Sequence, residues 1–301
     1  MRKRMKHAMG SAKGTGQPGA RPRVLCTMRL PRDIGVLRMA YRFWHWLMAF
    51  ALPAGGASAA AIPECAGPVE LPRAPIMRVE RTNDVLVLRD GRAVHLEGIR
   101  LPHGQQDHAP PAIADQAFQI LNGMARDQKL VVTAIPPKQD RYDRVRGQVF
   151  NMGSADPWLQ RALLKTGMAR VDIAPDRTEC IPELYAAEAE ARAARLGIWA
   201  LPVYAIRNPD GLSFDTGTFQ IVQGTVLTAD VKNGRAYLDF GPDWHTDFTV
   251  TIAPADMANF RREQVDPRLY AGKTIRVRGI VQQFHGPEIE IANPEQIEVL
   301  P

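Results

Sequence analysis

The chain has 301 residues, 45% hydrophobic and 23% charged, with 24 Gly, 24 Pro and a formal net charge of +6. That length and apolar content suit two compact domains and exclude a disordered, collagen-like or low-complexity chain. Residues 1–59 hold 11 Lys/Arg against one acid, Asp33, which leaves 27 bases and 31 acids in the remainder, so a broadly basic nucleic-acid-binding surface is excluded there.

The N-terminal segment reads as an address. Arg38 and Arg42 flank the start of the apolar run Phe43 to Leu52, and Ala57-Ser58-Ala59 follows as a small-residue cleavage pattern. This is the grammar of a secretory signal. A run of about ten residues is too short to cross a hydrocarbon core of about 30 Å. Residues 1–38 show no hydrophobic period, and a start at Met39 would give a signal of ordinary length. The expectation is a signal peptide and extension over 1–59, a periplasmic or secreted protein, and no stable membrane insertion after cleavage; an uncleaved anchor is the competing reading. Cys26 lies in this segment, leaving Cys65 and Cys180. An even count in an exported chain suggests one disulfide, with two free thiols as the alternative, because spacing does not fix bonding distance.

Strands come next. Residues 84–88 and 93–99 flank the turn Arg89-Asp90-Gly91-Arg92 and read as a hairpin. After a loop at 102–111, Ile113, Ala117, Ile120, Leu121 and Met124 share one helical face. Strands are predicted over 130–135 and 146–150. Asp156 as N-cap and Pro157 at N1 open a second helix that Gly167 stops. Residues 168–171 return as a strand, and a third helix, with an Ala-rich inner face, runs from about 182 to 196, ending at Gly197. The segment 201–217, with Pro202, Pro209 and Gly211, is the linker. Strands follow near 219–228, 235–240, 246–252, 274–282 and 287–291, with 296–299 as a possible edge and a short helix from Pro254. Five strands with a helix after the third is the order of an OB-type barrel.

Four stretches then carry a resemblance. Val94-His95-Leu96-Glu97-Gly98-Ile99-Arg100-Leu101-Pro102-His103, Asp140-Arg141-Tyr142-Asp143-Arg144, the segment Asp156 to Val171, and Leu196-Gly197-Ile198-Trp199 resemble, in order and near spacing, the staphylococcal nuclease (thermonuclease) family. The resemblance spans about 78–200. It implies a mainly β fold with α: an OB-fold, staphylococcal-nuclease-like barrel with helices over 60–200; the strand order after it adds a second OB-like β-barrel over 218–301. It also implies hydrolysis of nucleic-acid phosphodiesters with bound calcium. A hard dication wants carboxylate oxygens, a basic carboxylate activates water, and two arginines hold the phosphate.

Tested position by position, Arg144 matches the second catalytic arginine. His95 stands for the first arginine, His103 for the glutamate base, and Arg100 for a metal-binding aspartate. Asp84 aligns loosely with an upstream metal ligand, and Asp143 replaces a turn glycine. A guanidinium cannot ligate a cation, and a like-charge pair at about 4 Å costs roughly 4 kcal/mol at an effective dielectric near 20. No cofactor is therefore expected: calcium belongs to the family, but its site is lost. The catalytic positions that remain are Arg144, His95 and His103.

Three readings follow. The first is a degenerate nuclease that acts by binding nucleic acid or another ligand. The second is a phosphodiesterase using His103 and Arg144 without the calcium site, with zinc on His95, His103 and His108 as one version. The third is a non-catalytic cell-envelope interaction protein. In the second domain Arg276 and Arg278 share the strand face opposite the core, and with Trp244 they form a candidate ligand-binding surface, single-stranded nucleic acid being the expected partner. Tyr237, His245 and Phe248 are further stacking candidates. The 9 bases and 13 acids of residues 201–301 argue against broad attraction to phosphates there.

Overall fold

The structure is a computed structural model that describes residues 62–81 and 85–301. The expected export signal, with Met39 and Cys26, and the expected metal ligand Asp84 lie outside the described residues. Among the described residues no helix is long and apolar enough to cross a membrane.

The first barrel begins with β1 (Val69–Glu80), for which sequence patterning gives no strand. Pro72 falls within a register shift of the ladder that β1 forms with the fifth strand, and Pro75 lies beside it; such irregularities tolerate a missing N–H. The hairpin of β2 (Val85–Leu88) and β3 (Ala93–Leu96) forms as predicted. Gly91 takes the left-handed conformation at its tip, φ 89°. The predicted strand does not run on through Ile99. Gly98, φ 84°, turns the chain, and a Cβ there would come within 2.6 Å of Leu184. The next two residues, β4 (Ile99–Arg100), leave the barrel.

A single turn, α1 (Gly104–Asp107), precedes α2 (Pro111–Ala125), which has proline in its first turn; of its predicted face Ala117 and Leu121 are buried, with Ala125, while Ile113, Ile120 and Met124 pack partly against the core. Then come β5 (Lys129–Thr133) and the wholly buried β6 (Val145–Phe150). The closed barrel has the order β1-β2-β3-β6-β5. Only β3 and β6 pair parallel.

Helix α3 (Leu159–Lys165) starts later than expected. Trp158 is its N-cap, and Asp156 instead accepts from Arg161 at 2.6 Å. The chain then returns as β7 (Arg170–Val171), which pairs with β4, and continues into α4 (Ile181–Ala193). Ala187 and Ala191 are buried on α4. The turns that end α3 and α4 meet backbone to backbone. A Cβ on Gly167 would strike the Leu196 carbonyl, one on Gly197 would strike the Gly167 carbonyl, and Ile198 N donates to Gly167 O at 2.9 Å. The disulfide Cys65–Cys180 joins the entry of β1 to the start of α4 across 115 residues.

The segment 201–217 is packed. Tyr204 and Leu212 are buried, Arg207 pairs with Asp215 at 3.0 Å, and the Arg207 backbone bonds to both Ile221 and Gln223.

Beyond it lie β8 (Phe219–Thr225), β9 (Thr228–Lys232), β10 (Arg235–Asp239), β11 (Thr249–Ile252), α5 (Met257–Arg262), β12 (Thr274–Phe284), β13 (Gly286–Ile291) and β14 (Ile297–Val299). In place of a closed second barrel stands a seven-stranded sheet, ordered β14-β12-β13-β11-β10-β9, with β8 also on β12. Its pairing scheme repeats the first: antiparallel throughout except β11 with β13. β8 and β9 are halves of one run, parted only at Val226 and Leu227, so the pairing path ends on the run where it began. That is the connectivity of an OB fold. Each half has its own apolar cluster.

A buried ion pair joins the two halves. Glu188 on α4 and Arg278 on β12 are 0% and 1% exposed. Glu188 Oε1 accepts from Val171 N at 2.7 Å and Arg278 Nη1 at 3.1 Å; its Oε2 accepts from Arg278 Nη2 at 2.9 Å. Arg278 also donates to Val171 O and to Glu298, at 2.9 and 2.8 Å, and lies 4.3 Å from the Tyr185 ring centre. Burial pushes this guanidinium's pKa down, but Glu188, Tyr185 and Glu298 together outweigh burial and the net shift is upward.

Removing one partner strands the other charge. Arg278→Met or Glu188→Gln is expected to cost about 3–5 kcal/mol, read from the urea midpoint. Reducing the disulfide is expected to cost about 2–5 kcal/mol in the same measurement.

Candidate functional site

A cleft of about 610 Å³ opens where β3 meets β6, lined by His95, Glu97, Asp140, Tyr142, Arg144, Arg146 and Asp176 among others. The parallel register sets His95 directly beside Arg146. Val94 and Leu96 point into the core, so His95 faces out.

The loop before β6 aims Arg144. Asp140 Oδ1 accepts from the backbone N–H of Tyr142 and Arg144 at 2.8 and 3.1 Å. Asp143, where the family has glycine, takes the left-handed conformation, φ 59°, which Asp tolerates better than most residues. The turn therefore survives the replacement. Arg144 Nε donates to Asp140 Oδ2 at 2.6 Å, and the guanidinium stands 5.0 Å from the Tyr142 ring centre. Among the described residues its two Nη groups bond to nothing. Burial raises the Asp140 pKa, but these N–H donors and Arg144 outweigh it and hold the carboxyl below the ordinary range.

The cleft's other acids are bound to one cation. Arg146 donates from Nε to Glu97 at 2.7 Å and from Nη1 to Asp176 at 2.6 Å. Asp176 and then Glu97 push its pKa up against the effect of burial, and Arg146 in turn holds Asp176 below the ordinary carboxylate range. His95 Nε2 lies 3.8 Å from Glu97 Oε1. Burial pushes this imidazole below its ordinary 6.5; Glu97 opposes that, and Arg144 and Arg146 add to it.

Other predicted site residues lie elsewhere. Past the kink at Gly98, Arg100 Nε bonds Asp172 at 2.9 Å, and its guanidinium lies 4.9 Å from the ring centre of Phe219, the first residue of β8. Arg170 approaches the same ring at 4.7 Å, pairs with buried Asp107 at 2.7 Å, and donates to Phe219 O at 2.8 Å. His103 does not line the cleft; it precedes α1, and its N–H donates to Asp107 at 3.1 Å. The segment around Arg100, which the resemblance matches to a metal ligand, is thus packed against Phe219 of the second domain.

His95, His103 and His108 do not gather into a ligand set. Among the described residues the one group with metal-binding spacing is Cys65, Cys180 and Glu183, and its sulfurs form the disulfide. Arg276 and Arg278 do share the face opposite the sheet's core, but that face is closed. Arg278 is spent on Glu188, and Arg276 bonds Glu298 and Gln223 at 3.3 and 2.8 Å. Trp244 is exposed and lines a separate pocket. Phe248 is buried in the core.

Sequence reasoning missed Glu97, Arg146 and Asp176 as cleft residues. An Arg at the strand position beside His95 was the available signal for Arg146; nothing local marks Asp176.

Residues 93–201 match the family described as staphylococcal nuclease homologue. With the closed five-stranded barrel and its helices, this part of the chain is a staphylococcal nuclease-like domain. No curated protein matches the chain.

Because folded His95 resists protonation, the unfolded chain binds more protons below about 6.5. Stability is full above that pH and falls as the pH drops below it. An NMR titration should place the His95 midpoint below 6.5, and His95→Gln should flatten the acid side of the stability–pH curve.

Proposed function

We propose that this is an exported protein whose nuclease-like domain binds phosphate groups, single-stranded nucleic acid foremost, without calcium-dependent cleavage. The observation that carries the reading is how charge is committed around the cleft. Glu97 and Asp176 are neutralised by Arg146, and Asp140 by Arg144. Arg100, at the family's metal-ligand position, is turned to Asp172 and Phe219. A hard dication would have to break these pairs to gain its oxygens, so the residues present do not fit calcium. Arg144 keeps both Nη groups available, the geometry that suits bidentate contact with a phosphate.

Export is supported by the signal pattern of residues 1–59 and by a disulfide, which persists in oxidising compartments. His95 favours a second reading, metal-independent hydrolysis. A neutral imidazole beside Arg144 can accept a proton from water, a role His103 is not placed to fill.

The test is a cleavage assay on single- and double-stranded DNA and RNA with calcium, zinc or chelator, with binding followed by anisotropy across salt concentration. Expected are no calcium-stimulated turnover and salt-dependent binding of single strands. Arg144→Ala should weaken binding and reduce the salt slope by about one. Calcium-stimulated cleavage that disappears in Arg144→Ala defeats the proposal. Chelator-resistant cleavage lost in His95→Gln favours the second reading.

A further inference from the structure

The outer face of the second domain carries a different chemistry. The register of β9, β10, β11 and β13 sets Asp230 beside Tyr237, Thr228 and Thr249 beside Asp239, Thr251 beside Tyr237, and Glu288 beside Thr249. A pocket of about 270 Å³ lies on this face, lined in part by Tyr237, Asp239, Trp244, Phe284 and Glu288.

The charges here sort into two groups. Lys232, which also lines the pocket, is paired with Asp230 at 3.4 Å, and Arg235 with Glu290 at 2.6 Å. Neither Asp239 nor Glu288 forms an ion pair among the described residues, although Arg235, held by Glu290, also feels the charge of Glu288. Asp239 accepts only hydroxyls, from Thr228 and Thr249 at 3.1 Å each, and Glu288 accepts from Thr251 at 2.8 Å. Hydroxyl donors orient a carboxylate without neutralising it. The pocket floor therefore holds two oriented negative charges.

Its rim is aromatic and built in advance. Trp244 stacks on His245 at 3.6 Å between ring centres and meets His285 edge-on at 5.3 Å; Phe284 meets His285 at 4.8 Å. Two loops supply these rings, and they are locked together. A Cβ on Gly286 would strike the Asp247 carbonyl, and Asp247 accepts from Asp243 N at 2.8 Å. Yet the rings are open to water, with Trp244 55% and Phe284 67% exposed.

We infer that this face binds an arginine or lysine side chain of an extended polypeptide, its cation held between Asp239, Glu288 and the aromatic rim. Aromatic faces attract organic cations, most strongly when carboxylates share the site. The same carboxylates repel phosphate, which excludes nucleic acid as the ligand of this face. The pocket is shallow and its rings stay half wet around a small amine, whereas a chain crossing the sheet covers them.

The test uses the full protein and a fluorescein-labelled glycine–serine peptide carrying arginines. Matched lysine and glutamine peptides, free arginine amide and a thymidine oligonucleotide act as competitors. Arginine and lysine peptides should bind and the glutamine peptide should not. Glu288→Gln, Asp239→Asn and Trp244→Ala should each weaken peptide binding about five- to tenfold. The carboxamides still accept from threonine, so melting curves should overlay the parent; if Asp239→Asn fails to fold, Glu288→Gln carries the test. The inference is overturned by the absence of peptide binding, equal binding of the glutamine peptide, unchanged affinity in Glu288→Gln, displacement by arginine amide as effective as by the peptide, or displacement by the oligonucleotide. The nuclease-like cleft plays no part, so the result stands whichever way nucleic-acid binding there turns out.

Discussion

The buried pair of Glu188 and Arg278 is the constraint around which the rest is arranged. A carboxylate and a guanidinium removed from water are tolerable only when their hydrogen bonds are complete. Here Val171, Glu298 and Tyr185 complete the shell, and all of them must stay in place. That requirement fixes β12 against α4 and β7. It brings Phe219 of β8 over the arginines at 100 and 170, and commits the segment from Arg100 to Asp107 to the junction between the two halves. A family member that needs an acidic loop for metal could not use that segment in this way. On the proposed reading, the absence of acids at these positions and the packing of the second domain against them are two sides of one arrangement.

The cleft that remains is governed by charge sharing. One guanidinium, Arg146, serves two carboxylates, and a second, Arg144, is held by one. The cleft is nearly neutral overall, with Arg144 presented outward and the exposed Arg141 beside it against the Tyr142 ring. The outer face of the second domain is the mirror case, with two carboxylates that form no ion pair among the described residues. The outward cation and the unpaired carboxylates thus sit on different halves of the molecule, which the 27 bases and 31 acids of residues 60–301 taken together conceal.

Much of this was legible in the residues. The α2 face, the hairpin at Asp90-Gly91 and most strands of the second domain, though not β9, follow from periodicity and turn chemistry, and cysteine count suggested the bond that Cys65 and Cys180 form. The four motif stretches carried the fold of the first domain. Other features escaped because they depend on partners distant in sequence. Alternation on β12 put Arg276 and Arg278 on one face but could not say that another domain covers it. Arg100 and His103 stood out by residue type at the positions the resemblance matches, but nothing in patterning said that Gly98 turns the chain out of the barrel. Asp143 looked disruptive by residue type, and the left-handed backbone it adopts is invisible to patterning. The strand at 69–80 was hidden by its prolines, which the barrel accommodates at irregular register.

Helix α4 is fastened in three places. The disulfide holds its first turn, Glu188 anchors its middle, and the facing glycines at 167 and 197 fuse its far end to the turn after α3. A scaffold tied down in this way has little freedom left to surrender when it meets a ligand. Binding of the ligands proposed above would then need almost no reordering of the frame, and the entropy lost on association would fall mainly on the partner.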